Sequence, residues 1–247
     1  MENTVQFYIG GEDFQELIEG GYYYIDKTSY LKEIFMGQTN AKAPFFLRPR
    51  RFGKTLNMNM IKSFCELNYE NPGDKSYQEK LFLDNGRGLA VAKYEYKELR
   101  DRFMGEFPVI YISFKGIEGN SYIYALGSLL KSIGAIYKKF LFLTDSTKIL
   151  PSERDAFLRI VDFCRQESVD LYQRNILFKA EMIASDFISN LASLLYQEFA
   201  RKVIVIIDEY DVPLQKAAVA ETPYYNKIVI AQLPPIFENL GEKVRGI

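Results

Sequence analysis

The sequence predicts an α/β fold built on a mainly parallel sheet. Three observations carry this reading. Apolar strand-like runs at 44–47, 107–114 and 203–207 alternate with stretches of helical spacing. The first run passes through a basic loop into Gly53-Lys54-Thr55 and a helix, and the third ends in Asp208-Glu209. Composition agrees: 48% hydrophobic and 26% charged residues are globular proportions, and 247 residues can bury a core without a disulfide or metal staple.

Taken in order, Phe14, Leu17 and Ile18 share a helix face that Gly20-Gly21 ends. YYYI at 22–25 reads as a short strand, and Asp26 as the N-cap of a helix carrying Leu31, Ile34 and Phe35. PFFL at 44–47 is a buried-type strand whose regular pairing begins after Pro44. From Thr55 onward, Leu56, Met60 and Phe64 recur every four residues, and Ile61 and Leu67 widen the stripe. NPGD at 71–74 and DNGRG at 84–88 are turns, followed by a helix through Leu99, Arg102 and Phe103. FPVIYISF at 107–114 is the second strand. Leu126, Leu129, Leu130 and Ile133 mark one helix; Phe157, Leu158, Val161 and Cys164 mark another, begun by Pro151-Ser152 with Asp155. A last helix through Phe187, Leu191, Leu195 and Phe199 ends at Arg201-Lys202, cations where the helix dipole favours them. KVIVIIDEYD at 202–211 follows at once as the third strand.

Several function classes fall away on composition. There is no histidine, so imidazole acid–base chemistry, His triads and His metal sites are excluded. Lys+Arg 31 against Asp+Glu 32 gives a net charge of -1, which argues against a chain-wide nucleic-acid footprint but not against a local basic patch. Cys65 and Cys164 have no CxxC partner and read as reduced, buried thiols suited to a reducing cytoplasm. MENTVQFYIGG lacks the regions of a signal peptide, and no apolar run approaches membrane-spanning length. The expected location is cytoplasmic, without membrane association.

Gly53-Lys54-Thr55 carries the chemistry, because a phosphate loop needs the place where a strand hands over to a helix. Gly53 permits an unusual turn and close backbone approach, and the amides at the helix start face outward with the positive dipole end behind them. Lys54 supplies a point charge for the β- and γ-phosphates, and the Thr55 hydroxyl a ligand for Mg²⁺. The general pattern GxxxxGK[ST] fails at its first glycine, here Arg48. A bare Gly-Lys-Thr arises by chance in roughly one chain in ten of this length. The acidic strand changes that balance. It holds Asp208 at a sheet's carboxyl edge, where it supports Mg²⁺, while Glu209 polarises the attacking water. Both features in this order arise by chance in roughly one chain in a thousand.

The segments YYYIDKTSYL, FFLRPRRFGKTLNMNMIKSF, FPVIYISFKG and KVIVIIDEYDVPLQKA resemble the bacterial and archaeal AAA-ATPase-like family over about residues 10–217. RPRRFGKT is the most specific mark, and the family also carries arginine at the first loop position. The resemblance implies a P-loop NTPase three-layer fold of the additional-strand, catalytic-glutamate type. It implies ATP and Mg²⁺ as ligands, with phosphate contacts from Arg51, Phe52, Gly53, Lys54, Thr55 and Leu56, metal contacts from Thr55 and Asp208, and catalysis by Lys54 and Glu209. The side chains of Arg48, Arg50 and Arg51 either bind phosphate or fold back onto carboxylates or solvent. Asp26-Lys27-Thr28 reads as a helix cap with core aromatics. Residues 1–40 are expected to pack as an extension on a core at 41–247, with a helical insert at about 140–182.

One departure accompanies the resemblance. The family's sensor strand has no counterpart before the chain stops at GEKVRGI, although KIVIAQL at 227–233 reads either as a substitute strand or as a preceding helix. The fold is therefore expected to be incomplete at its C-terminus, as a fragment or a shortened chain. The nuclease-like domain that often follows in the family is not within these 247 residues, so no nuclease activity is expected of them and DNA is expected as a partner only indirectly. The expected function is MgATP binding with hydrolysis that drives a conformational change. The alternative is a nucleotide-gated interaction module with little turnover, acting through self-association or a protein partner. An unrelated scaffold with a chance motif is the third reading.

Overall fold

The computed structural model describes residues 6–37, 53–117, 121–165, 170–219 and 244–246. The chain forms two compact units, Met1–Val109 with Gly246–Ile247, and Ile110–Arg245. The strand foreseen at 44–47 and the strand or helix at 227–233 lie outside the described residues.

The first unit is helical. It contains α1 (Phe14–Glu19), α2 (Tyr30–Met36), α3 (Lys54–Cys65), α4 (Ser76–Phe82) and α5 (Lys97–Phe103). Its centre is aromatic: Phe14 stacks on Phe82 at 5.3 Å between centroids, and Phe64 meets Phe82 edge-on at 5.5 Å. Those contacts lock α3 between α1 and α4, because Phe64 sits on the same buried face as Met60 and Ile61. Beyond the helix, Phe107 exchanges backbone hydrogen bonds with Cys65 and Leu67, forming a parallel bridge to Glu66.

Two local expectations are corrected here. Residues 22–25 are extended but form no strand. Their backbone is engaged elsewhere: the Arg87 guanidinium donates to the Tyr22 carbonyl at 2.7 Å, and the Tyr23 amide donates to the Gln6 carbonyl. Asp26 does not cap α2, whose N-cap is Ser29 without a side-chain bond. Its carboxylate instead accepts from the Thr28 amide and hydroxyl and from the Ala90 amide.

The second unit holds nearly all of the sheet and the long helices: β1 (Val109–Ser113), whose first residue belongs to the first unit, α6 (Tyr122–Lys138), α7 (Pro151–Arg165), α8 (Arg174–Phe199), β2 (Val203–Asp208) and α9 (Val212–Val219). With β3 (Val244–Gly246), the strands run in the order β1-β2-β3, and β1 and β2 are parallel. A parallel pair needs a crossover, and the helices α6 to α8 supply it. Val203, Ile204, Val205 and Ile206 are all buried, as expected of a strand covered on both faces. The α/β class holds, with helices dominating and a small sheet among the described residues. Tyr137 is fully buried; it stacks on Phe157 at 5.0 Å and donates to the Phe187 carbonyl at 2.9 Å, tying α6 to α7 and α8. Cys65 is buried and Cys164 half-buried, and neither is in a disulfide. Among the described residues no helix is long and apolar enough to cross a membrane.

Candidate functional site

Gly53 opens α3 with φ 71 and ψ 31, in the left-handed region that a residue with a β-carbon adopts only with strain. The helix begins at the next residue: the Asn57 amide donates to the Gly53 carbonyl at 3.0 Å. The amides of Lys54, Thr55 and Leu56 thus precede the first intrahelical bond. Among the described residues no side chain caps them, and the first turn carries no acidic residue. The result is a helix start with unsatisfied donors and the positive end of the dipole behind them. Burial of Met58, Met60, Ile61, Phe64 and Cys65 makes α3 a rigid mount for this turn. Asn59 steadies it further by donating to the Glu12 and Thr55 carbonyls. Gly53, Lys54, Thr55 and Leu56 stand at the start of α3; Arg51 and Phe52, like Arg48 and Arg50, lie outside the described residues.

Lys27 was not foreseen as part of this turn. Its ammonium nitrogen lies 3.8 Å from the position a β-carbon on Gly53 would occupy. Sequence alone could not indicate this, because the approach depends on how residues 22–28 pass over α3.

The acidic pair belongs to the second unit. Asp208 ends β2 and is 4% exposed. Its carboxylate accepts from the Tyr111 hydroxyl at 3.3 Å and from the Glu209 amide at 3.0 Å, while its carbonyl accepts from the Phe114 amide. Among the described residues no lysine or arginine pairs with it. Burial of a carboxylate is costly unless hydrogen bonds or a cation compensate it, and here the described partners are neutral donors. Glu209 follows at φ 54, in the left-handed region, and is half-buried. Its carbonyl accepts from the Val212 amide, turning the chain into α9. Tyr111 also escaped the sequence reading. The available signal was a tyrosine in an otherwise apolar strand, since a buried phenol needs a partner.

Among the described residues no three acidic or cysteine side chains cluster as a metal cage. The Thr55 hydroxyl of the first unit and the Asp208 carboxylate of the second are each oxygen groups of the type that Mg²⁺ takes.

A family model described as predicted AAA-ATPase matches residues 8–238. The chain belongs to the AAA-ATPase-like family. The match covers both the Gly53 turn and the Asp208-Glu209 strand end, so the two features fall within one family unit of sequence. No curated protein and no solved structure matches the chain.

Proposed function

We propose that this chain binds ATP through the Gly53 turn and hydrolyses its γ-phosphate. The observation that carries the reading is the left-handed Gly53 followed by uncapped amides and Lys54-Thr55, in a member of a predicted AAA-ATPase family. In this reading the amides from Arg51 to Leu56 bind phosphate oxygens, and Lys54 places its charge on the β- and γ-phosphates. The Thr55 hydroxyl would hold Mg²⁺, whose charge would offset that of the phosphate oxygens, and the Asp208 carboxylate is the candidate acidic ligand of the second unit. Tyr111 and the Glu209 amide orient Asp208 through its two carboxylate oxygens. The Glu209 carboxylate accepts a hydrogen bond from the attacking water and so polarises it. Lysine and glutamate suffice for this chemistry, in keeping with a chain that has no histidine.

Calorimetry and steady-state phosphate release test the assignment. Lys54→Ala is expected to lose MgATP binding. Glu209→Gln is expected to bind as the parent does and turn over about a hundredfold slower or less. Unchanged turnover in Glu209→Gln removes the catalytic role. MgATP binding with no turnover in the parent chain favours the nucleotide-gated module instead.

A further inference from the structure

The segment Asp26-Lys27-Thr28 is built more tightly than a helix lead-in requires. Asp26 Oδ1 accepts from the Thr28 amide at 2.8 Å and the Thr28 hydroxyl at 2.7 Å, and Asp26 Oδ2 accepts from the Ala90 amide at 2.6 Å. Thr28 is fully buried, and its hydroxyl oxygen also accepts from the Val91 amide at 3.1 Å. Between these two anchors, the Lys27 amide donates to the Tyr24 hydroxyl at 3.1 Å. That hydroxyl in turn donates to the Met60 sulfur on α3 at 3.4 Å. The backbone of Lys27 is therefore referenced to the helix that the Gly53 turn begins. Its side chain is the one member of the triplet that the clamp leaves unused.

That side chain lies where electrostatics opposes it. The Lys27 ammonium sits beside Gly53, at the positive end of α3, next to Lys54 at the first helical position. Cations are favoured at helix C-termini and disfavoured at N-termini. No acidic residue stands in the first turn, and among the described residues neither lysine forms an ion pair. Lys27 is half-buried. Its ammonium, the dipole end and the amides that precede the first intrahelical bond together make a turn that favours an anion.

We propose that Lys27 is a second phosphate-binding cation of the nucleotide site, held at the Gly53 turn by the clamp of Tyr24, Asp26 and Thr28. This rests on the nucleotide reading of the turn and extends it: the ligand is a polyphosphate that Lys27 and Lys54 grip from two segments 27 residues apart in sequence. The test uses the full chain as parent, Lys27→Met, which keeps an unbranched apolar stem, Lys27→Arg, which keeps the charge, and Lys54→Ala. Calorimetry measures affinity for MgATP and for inorganic tripolyphosphate, and thermal melting is recorded without ligand. Lys27→Met is expected to weaken both probes about tenfold or more, Lys27→Arg to recover most of the loss, and the unliganded melting temperature of Lys27→Met to equal or exceed the parent's. Parent-like affinity in Lys27→Met, equal loss in the methionine and arginine variants, or a lowered unliganded melting temperature overturns the assignment. If the parent itself binds neither probe, the nucleotide reading fails and takes this one with it. Parent binding that is lost in Lys54→Ala but kept in Lys27→Met sinks the Lys27 role alone.

Discussion

Among the described residues two that are not glycine, Ala200 and Glu209, sit in the left-handed region, at φ 52 and φ 54. For each, the β-carbon crowds the backbone at a cost of about 1–2 kcal/mol. Ala200 has a structural reason: it terminates α8, donating its amide to the Tyr196 carbonyl at 2.8 Å, so that β2 can begin at Val203. Glu209 follows the buried Asp208, and strain held at such a place accords with a residue fixed for chemistry. Glycine at either position relieves the strain, and its greater freedom in the unfolded chain offsets part of the gain. Ala200→Gly and Glu209→Gly should each raise the urea midpoint, by about 0.5–1 kcal/mol of stability. Under the proposed hydrolysis they should part company in function: phosphate release is expected to survive in Ala200→Gly and to be lost in Glu209→Gly. A lowered midpoint in Glu209→Gly would mean that the turn is not strained.

Helix α6 lies close against α7 at Gly134, where an added β-carbon would stand 2.8 Å from the Cys164 β-carbon. Alanine gains about 1 kcal/mol in helix propensity over glycine, but the contact lies between two β-carbons, neither of which can rotate away. Overpacking of this kind costs about 1–3 kcal/mol. Gly134→Ala is expected to be destabilising by about 1 kcal/mol net, read from urea denaturation; a stabilised variant would show that the helices have room to spare. The same scale explains what the sequence could reveal. Helices α3, α6 and α8 are legible because their buried residues recur at the helical period, which depends only on local geometry. Tyr22–Ile25 misleads because strand propensity says nothing about whether a neighbouring strand exists, and here Arg87 takes the carbonyl instead. Asp26 misleads because its carboxylate is claimed by Ala90, 64 residues on. Gly53-Lys54-Thr55 and Asp208-Glu209 are local patterns at element junctions and could be read directly. Lys27 and Tyr111 join those groups only through tertiary placement, and no local pattern announces them.

At the scale of the whole molecule, the absence of histidine and the abundance of tyrosine, 18 residues, set the response to pH. No side chain of ordinary pKa changes charge between about pH 6 and 8 in such a chain. Burial pushes the Tyr24 phenol from 10.0 up to about 12, and it raises Tyr69 and Tyr137 as well. The Cys164 thiol is likewise pushed from 9.0 up to about 11 by burial. Each of these groups is neutral when protonated and has a folded pKa above its unfolded value. Each therefore contributes stability that is fully present below the unfolded pKa and is lost as pH rises toward the folded one. The loss starts near pH 9 with Cys164 and steepens between about 10 and 12 as the tyrosines are drawn to ionise in the unfolded chain. The melting temperature is expected to be level from about pH 6 to 8.5 and to fall steeply above pH 10, with phenolate absorbance appearing together with unfolding. Tyr137→Phe supplies the control. It removes the hydrogen bond to Phe187, costing about 1 kcal/mol at neutral pH, and also removes one ionisation, so its alkaline limb should be shallower than the parent's. A melting step between pH 6 and 8, or tyrosines that ionise well before the fold is lost, would mean that burial does not govern the titration of this core.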